Sequence, residues 1–191
     1  MLSYSQKTYV PDDILEAWFE ANGYGDSIAY NDSVLTASIN TITSLYLENK
    51  FISDATGIEA IQSLQFLNLQ NNLLTSLELS NMPNLENISF GRNPNLTNVV
   101  LKDNINLNWI SYYQNNSQSG GCDSIDIRGC TNLYTVEISY SNLHHILLPT
   151  SAISYLTLDN NSLTTVNFPG GFSVSNLDLG GNQISSIDFS N

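Results

Sequence analysis

The sequence predicts a mainly β, right-handed solenoid of about seven coils, each 20–26 residues long, behind a short N-terminal capping helix. Three observations predict it. First, one frame, apolar at its first, fourth and sixth positions with Asn at its ninth, recurs from Ile42 to the C-terminal end. Second, apolar and polar residues alternate inside each frame, which is the period of a strand with one face buried. Third, a weaker copy of the same apolar spacing follows every frame but the first, ten or eleven residues on except in the longer fourth coil, too soon for a helix on the return side of the coil.

The ends of the chain divide at residue 41: positions 1–41 read as lead-in and cap, positions 42–191 as repeats. Residues 1–10 read as a frayed lead-in. From Val10 to Gly23 the chain reads as a helix: Pro11 and Asp12 mark its start, Asp13 and Glu16 have capping-box spacing, and Gly23 suits a left-handed stop. Ile14, Leu15, Trp18 and Phe19 share one helical face, suited to covering the open end of a solenoid core. Tyr24 to Asp32 reads as a polar turn. Its Asp26, Asn31 and Asp32 offer oxygen ligands, but not at the spacing of a calcium loop. Val34 to Ile39 then reads as a first strand-like rung.

The repeat frame begins at Ile42, Leu64, Leu85, Leu107, Leu133, Ile153 and Val174. Its fourth and sixth positions, from Leu45/Leu47 and Leu67/Leu69 to Leu177/Leu179, are expected to point inward and stack coil on coil, about 4.8 Å apart. The ninth position holds Asn72, Asn93, Asn115, Asn161 and Asn182, with Lys50 and Ser141 as exceptions. A buried Asn there would bond the turn backbone of its own and the adjacent coil. Second strands are expected around Leu77, Val99, Ile125, Ile146, Val166 and Ile187. The first coil lacks one and reads instead as a helical turn within Ile52–Ile61.

Leu64 to Leu74 spells L-x-x-L-x-L-x-x-N-x-L, so the repeats resemble leucine-rich repeats. The Pro11-Asp12-Asp13 opening, the Gly23-Tyr24 turn, Asn40 to Leu45 and Ile52 to Glu59 resemble the N-terminal cap and first repeat of leucine-rich repeat proteins of marine Bacteroidetes, with similar chains in marine phage. The likeness covers residues 10–191. It implies a surface, secreted or virion-associated binding or adhesion protein, in preference to a cytoplasmic one, and carries no catalytic residue. No signal peptide and no C-terminal sorting domain are visible in the sequence.

Composition narrows the function classes. Five basic residues against eighteen acidic ones give a net charge of −13, with no Lys/Arg stripe for nucleic acid or an anionic membrane. No apolar run reaches the length of a membrane span. Two cysteines, Cys122 and Cys130, are too few for a disulfide framework or a zinc site and read as buried thiols. No cofactor is expected.

The expected function is non-catalytic recognition. Tyr46, Phe66, Trp109, Tyr113 and Tyr155 fall at outward positions of the main strands, with Tyr134 beside them. Amides, hydroxyls and carboxylates lie between, among them Asn68, Gln70, Asn87, Ser111, Glu137, Asp159 and Asp178. The core explains inward aliphatics; it does not explain outward rings. They suit the aromatic anchors of a protein interface or the faces of sugars, or they stack on one another to stabilise the sheet. The fourth coil is longer, and its extra residues, Gln114 to Gly121, would stand beside Trp109 and Tyr113. His144 and His145, with Asp123 and Asp126 one coil earlier, are the remaining candidates for a metal or an enzyme site. Hydroxyls stacked on the second-strand face read as plain solvated β-surface. With no polar capping repeat after Phe189, a homodimer through the C-terminal end is one expected way to cover the core there.

Overall fold

A computed structural model describes residues 6–113, 121–185 and 187. The chain opens with β1 (Lys7–Tyr9), α1 (Asp13–Ala21), β2 (Ser33–Leu35) and the four-residue α2 (Thr36–Ile39). The coils supply β3 (Ser44–Tyr46), β4 (Phe66–Asn68), β5 (Ser76–Glu78), β6 (Asn87–Ser89), β7 (Asn98–Val100), β8 (Trp109–Tyr113), β9 (Ser124–Asp126), β10 (Thr135–Ser139), β11 (His145–Leu147), β12 (Ile153–Thr157) and β13 (Val174–Asp178).

The result is a β-solenoid of about six turns. One wall is a seven-stranded parallel sheet in the order β3-β4-β6-β8-β10-β12-β13, and the other a four-stranded parallel sheet in the order β5-β7-β9-β11. The repeat frame sets the register. Leu45, Leu67, Ile88, Ile110, Val136, Leu156 and Leu177 form one in-register row. Leu77, Val99, Ile125 and Ile146 form the facing row. Both rows are buried along most of their length, so the core is one continuous column. Leu177, Leu179 and Ile184 in the last coil are only partly covered. The first coil has its helical turn, a 3-10 segment at Ile58–Ala60.

The corners explain the Asn positions. The Asn72 carboxamide donates to Leu47 O (2.8 Å) and Leu69 O (2.9 Å), one carbonyl in each of two coils, and accepts from Lys50 N and Ile52 N. Asn93, Asn161 and Asn182 repeat this bridging. Asn115 lies outside the described residues. Position eight, just before it, is left-handed at Asn49, Asn71, Arg92, Tyr140, Asn160 and Gly181. The exceptions Lys50 and Ser141 also have a reason. In those two coils a second left-handed residue follows, Phe51 or Asn142. The Asn of the next coil then accepts two backbone amides: Lys50 and Ile52 into Asn72, Ser141 and Leu143 into Asn161.

The second half-coils use the same device. Asn104, at the ninth place of its half-coil, donates to Leu79 O and Leu101 O and accepts from Met82 N. Cys130 holds the corresponding place one coil later, and its thiol donates to Leu101 O at 3.0 Å.

Several sequence expectations are corrected. Residues 7–9 are not frayed: β1 pairs antiparallel with β2. The rung expected at Val34–Ile39 is a strand only to Leu35; α2 follows, turning the chain into the first coil. The helix cap is Asp12, whose Oδ1 accepts from Ile14 N and Leu15 N, so Asp13–Glu16 is not a capping box. Glu16 instead reaches across to the Asn31 and Asp32 amides. Ile14 is exposed, while Leu15 and Phe19 carry the buried face and Trp18 stacks on Tyr24. Gly23 does stop the helix in left-handed geometry, with Gly23 N bonding Glu20 O and Tyr24 N bonding Phe19 O. In the sixth coil Val166 and Phe168 are buried, but no second strand forms beyond a single bridge at Asn167. Ile187 is exposed, and Phe189 lies outside the described residues.

Asp12 joins cap to solenoid. Its second oxygen accepts from Ser53 N (2.8 Å), the Ser53 hydroxyl (2.9 Å) and Asp54 N (3.1 Å). Burial by itself raises its pKa. The bonds from Ser53, Leu15 and Asp54 outweigh burial and hold the carboxyl below the usual carboxylate range.

Two measurements test this account. Leu69→Ala empties part of the core column and is expected to cost about 2–5 kcal/mol in urea melts. Asp12→Asn is expected to cost about 2 kcal/mol at neutral pH, because charged acceptors make the stronger hydrogen bonds. A depressed native pKa contributes stability above the ordinary carboxylate pKa that is lost as pH falls through the native one. The gap between wild type and Asp12→Asn should therefore close in strong acid; a gap constant with pH would refute the role given to the charge.

Candidate functional site

The outward surface of the seven-stranded sheet is built from the residues between the core positions. Its first column runs Ser44, Phe66, Asn87, Trp109, Thr135, Tyr155, Asn176. Aromatic rings recur in it at every second coil, about 10 Å apart at the usual strand spacing, with an amide or hydroxyl between them. The second column runs Tyr46, Asn68, Ser89, Ser111, Glu137, Thr157, Asp178. Tyr113 follows on the far end of β8, opposite Ser139.

All six sequence-selected rings lie on this side of the molecule. Tyr46, Tyr113, Tyr134 and Tyr155 are exposed, and Phe66 and Trp109 are half-buried. The structure gathers them as separate pairs and not as one unbroken ladder. Tyr46 meets Phe66 with ring centroids 5.2 Å apart, and Tyr134 meets Tyr155 edge-on at 5.5 Å. Tyr113 pairs edge-on at 5.8 Å with Tyr140, which the sequence did not single out. Tyr140 stands at the left-handed position eight, where a ring in place of Asn or Gly was the available signal. Trp109 has polar neighbours on both sides in register, Asn87 and Thr135. These pairs contribute to the sheet and leave their outer faces open to a ligand.

Carboxylates edge the same surface. Glu137 and Asp178 are exposed. The Ser139 hydroxyl and the Asn160 amide both donate to Asp159. Oε2 of Glu48 is buried and has no hydrogen-bond partner among the described residues. The loop segment 114–120 lies outside the described residues.

The histidine cluster is brought together only in part. The register sets His145 opposite Ser124, and Nδ1 of His144 lies 2.6 Å from Oδ1 of Asp123. The two imidazole rings stand 6.4 Å apart. Asp126 is engaged elsewhere, in a bidentate pair with Arg128. Among the described residues, the one group of three acidic, His or Cys side chains close enough to share an ion is Asp13, Glu16 and Asp32 in the cap. There both Glu16 oxygens already accept backbone amides. Asp26 is tied to Lys7 and to the Asn31 amide.

Cys122 and Cys130 are free, buried thiols. Burial, with the nearby Asp123 charge, pushes Cys122 up to about 12; burial pushes Cys130 up to about 11. Cys122 N bonds the Tyr112 hydroxyl, and burial raises the pKa of that phenol as well. Nothing in these surroundings generates a thiolate at neutral pH. No helix among the described residues is long and apolar enough to cross a membrane. No family model matches the chain, and no curated protein matches it.

The thiols provide a direct check on this environment. In the native protein neither should react with a disulfide reagent at neutral pH, and both should react once urea unfolds the coils. Rapid labelling of Cys122 in the folded state would contradict its burial.

Proposed function

We propose that this protein is a non-catalytic recognition module of the leucine-rich repeat kind, which takes a protein partner on the outer face of its seven-stranded sheet. The observation that carries the reading is the first outward column: Phe66, Trp109 and Tyr155 stand on a rigid wall whose inward rows already supply the core. Rings fixed on regular strands lose little entropy on binding, and aromatic anchors dominate protein interfaces. Glu137, Asp159 and Asp178 beside them favour a partner presenting Arg or Lys, which pairs with carboxylates and stacks on Tyr faces. Adhesion at a cell or virion surface is consistent with the resemblance of the repeats.

A second reading, carbohydrate binding on the same face, is favoured by the alternation of ring and amide or hydroxyl along that column. An enzyme around His144, His145 and Asp126 ranks below both, because among the described residues no third metal ligand joins His144 and Asp123, and Asp126 is engaged by Arg128.

Protein and glycan arrays probed with wild type and with Trp109→Ala/Tyr155→Ala separate these readings. The double variant should weaken a protein ligand about thirty-fold or more, the scale of hot-spot truncation. Trp109→Ala alone should cost about 1 kcal/mol of stability, well under Leu69→Ala, because its ring is only half-buried. Ligands that bind the double variant as tightly as wild type would remove the sheet face from the function.

A further inference from the structure

A cleft at one corner of the solenoid, away from the outward sheet columns, has the build of a small-ligand site. It has a volume of about 290 Å³ and spans the first three coils. One wall is the position-eight ladder Asn49, Asn71, Arg92. The other wall, two residues on in each coil, is Phe51, Leu73, Pro94. The buried bridging Asn72 lies between them. One side is thus amide and guanidinium, the other apolar.

Phe51 is the informative residue. It sits in left-handed backbone at φ 66° and is 69% exposed. The fifth coil makes the same double left-handed corner, anchored in the same way, and uses Asn142 there at φ 68°. Asn tolerates that conformation; a bulky aromatic does not adopt it readily. The corner therefore does not need a ring, and burial does not need one either. In the sixth and seventh coils the corresponding residues, Ser162 and Gln183, are polar too, so among the described corners that follow the main strands this position is apolar only in the first three coils.

The opposite wall supplies charge. Arg92 forms no ion pair among the described residues, although the chain carries eighteen acidic side chains, and no carboxylate lines the cleft. The Asn71 amide donates to the Asn49 side-chain oxygen, which orders that wall.

We propose that this cleft binds a single sugar ring bearing one carboxylate, a uronic or sialic acid unit at a glycan end. Phe51, Leu73 and Pro94 would take the apolar face of the ring, Asn49 and Asn71 its hydroxyls, and Arg92 its carboxylate in the two-pronged geometry a guanidinium offers. The volume suits one ring, and the net charge of −13 disfavours a polyanion.

Nitrogen-15 NMR titration of the full chain tests it, with the methyl glycosides of glucuronic acid and N-acetylneuraminic acid as probes, methyl glucoside as the neutral control and a Glu-rich peptide as competitor. At least one acidic sugar should shift Asn49, Asn71 and Arg92 saturably and bind about ten-fold or more tightly than the glucoside, the scale of a charge-assisted contact. Arg92→Gln should erase that preference. Phe51→Asn should bind about ten-fold more weakly while its thermal midpoint stays level or rises, because Asn suits the backbone better. Saturation at Arg92 by the peptide in preference to both sugars would overturn the assignment. So would equal binding of acidic and neutral sugars, no saturable shift with either acid, or unchanged binding by Phe51→Asn.

Discussion

A chain that reverses direction every ten or eleven residues leaves backbone amides and carbonyls at each bend with no strand to pair them. The buried carboxamide at position nine answers this constraint. One Asn side chain offers two donors and an acceptor with two lone pairs, enough to satisfy carbonyls in two coils and an amide in one of them. Its reach of one coil spacing makes the contact both a corner brace and a staple between neighbours. Asn72 and Asn161 do more, each accepting two amides from a coil whose own ninth residue is Lys50 or Ser141. A missing Asn is thus compensated by the next coil and by a second left-handed residue. That substitution places Phe51 and Asn142 at the surface.

The first coil faces a different problem, since no earlier coil covers it. Leu15 and Phe19 bury its open end, and Asp12 fastens that cover by serving as helix cap with one oxygen and as acceptor for Ser53 and Asp54 with the other. A single carboxylate thereby couples a local element, the helix start, to a contact 41 residues away in the chain. The cap is continuous with the core in packing and in hydrogen bonding.

With the interior satisfied in this way, the core does not account for the rings at outer positions, and the composition of those positions becomes informative. Aliphatics fill most of the inward rows, with Phe90, Tyr112 and Phe168 as buried rings, whereas six further rings stand on one outer wall and Phe51 at one corner. Exposed rings have a cost, and their recurrence in register on a rigid sheet, with Phe51 strained at one corner, is the physical basis for reading both places as recognition surfaces.

The repeat frame, the inward rows, the position-nine Asn and the outward placing of Trp109 and Tyr155 were all legible from the residues, because side-chain period and coil length are local properties of the chain. The same period stacks each position-nine Asn on the corner of the coil before it, so the bridging role of Asn72 is legible from the repeat as well. What the tertiary structure alone decided depends on which distant groups meet. Asp12 caps the helix with one oxygen while Ser53 and Asp54 both donate to the other, and residues 7–9 form a strand because β2 returns alongside them. Tyr113 pairs with Tyr140, and Asn49, Phe51, Arg92 and Pro94 enclose one cleft, through stacking of coils about twenty residues apart. Periodicity sets which way a side chain faces; only the folded stack sets what it faces.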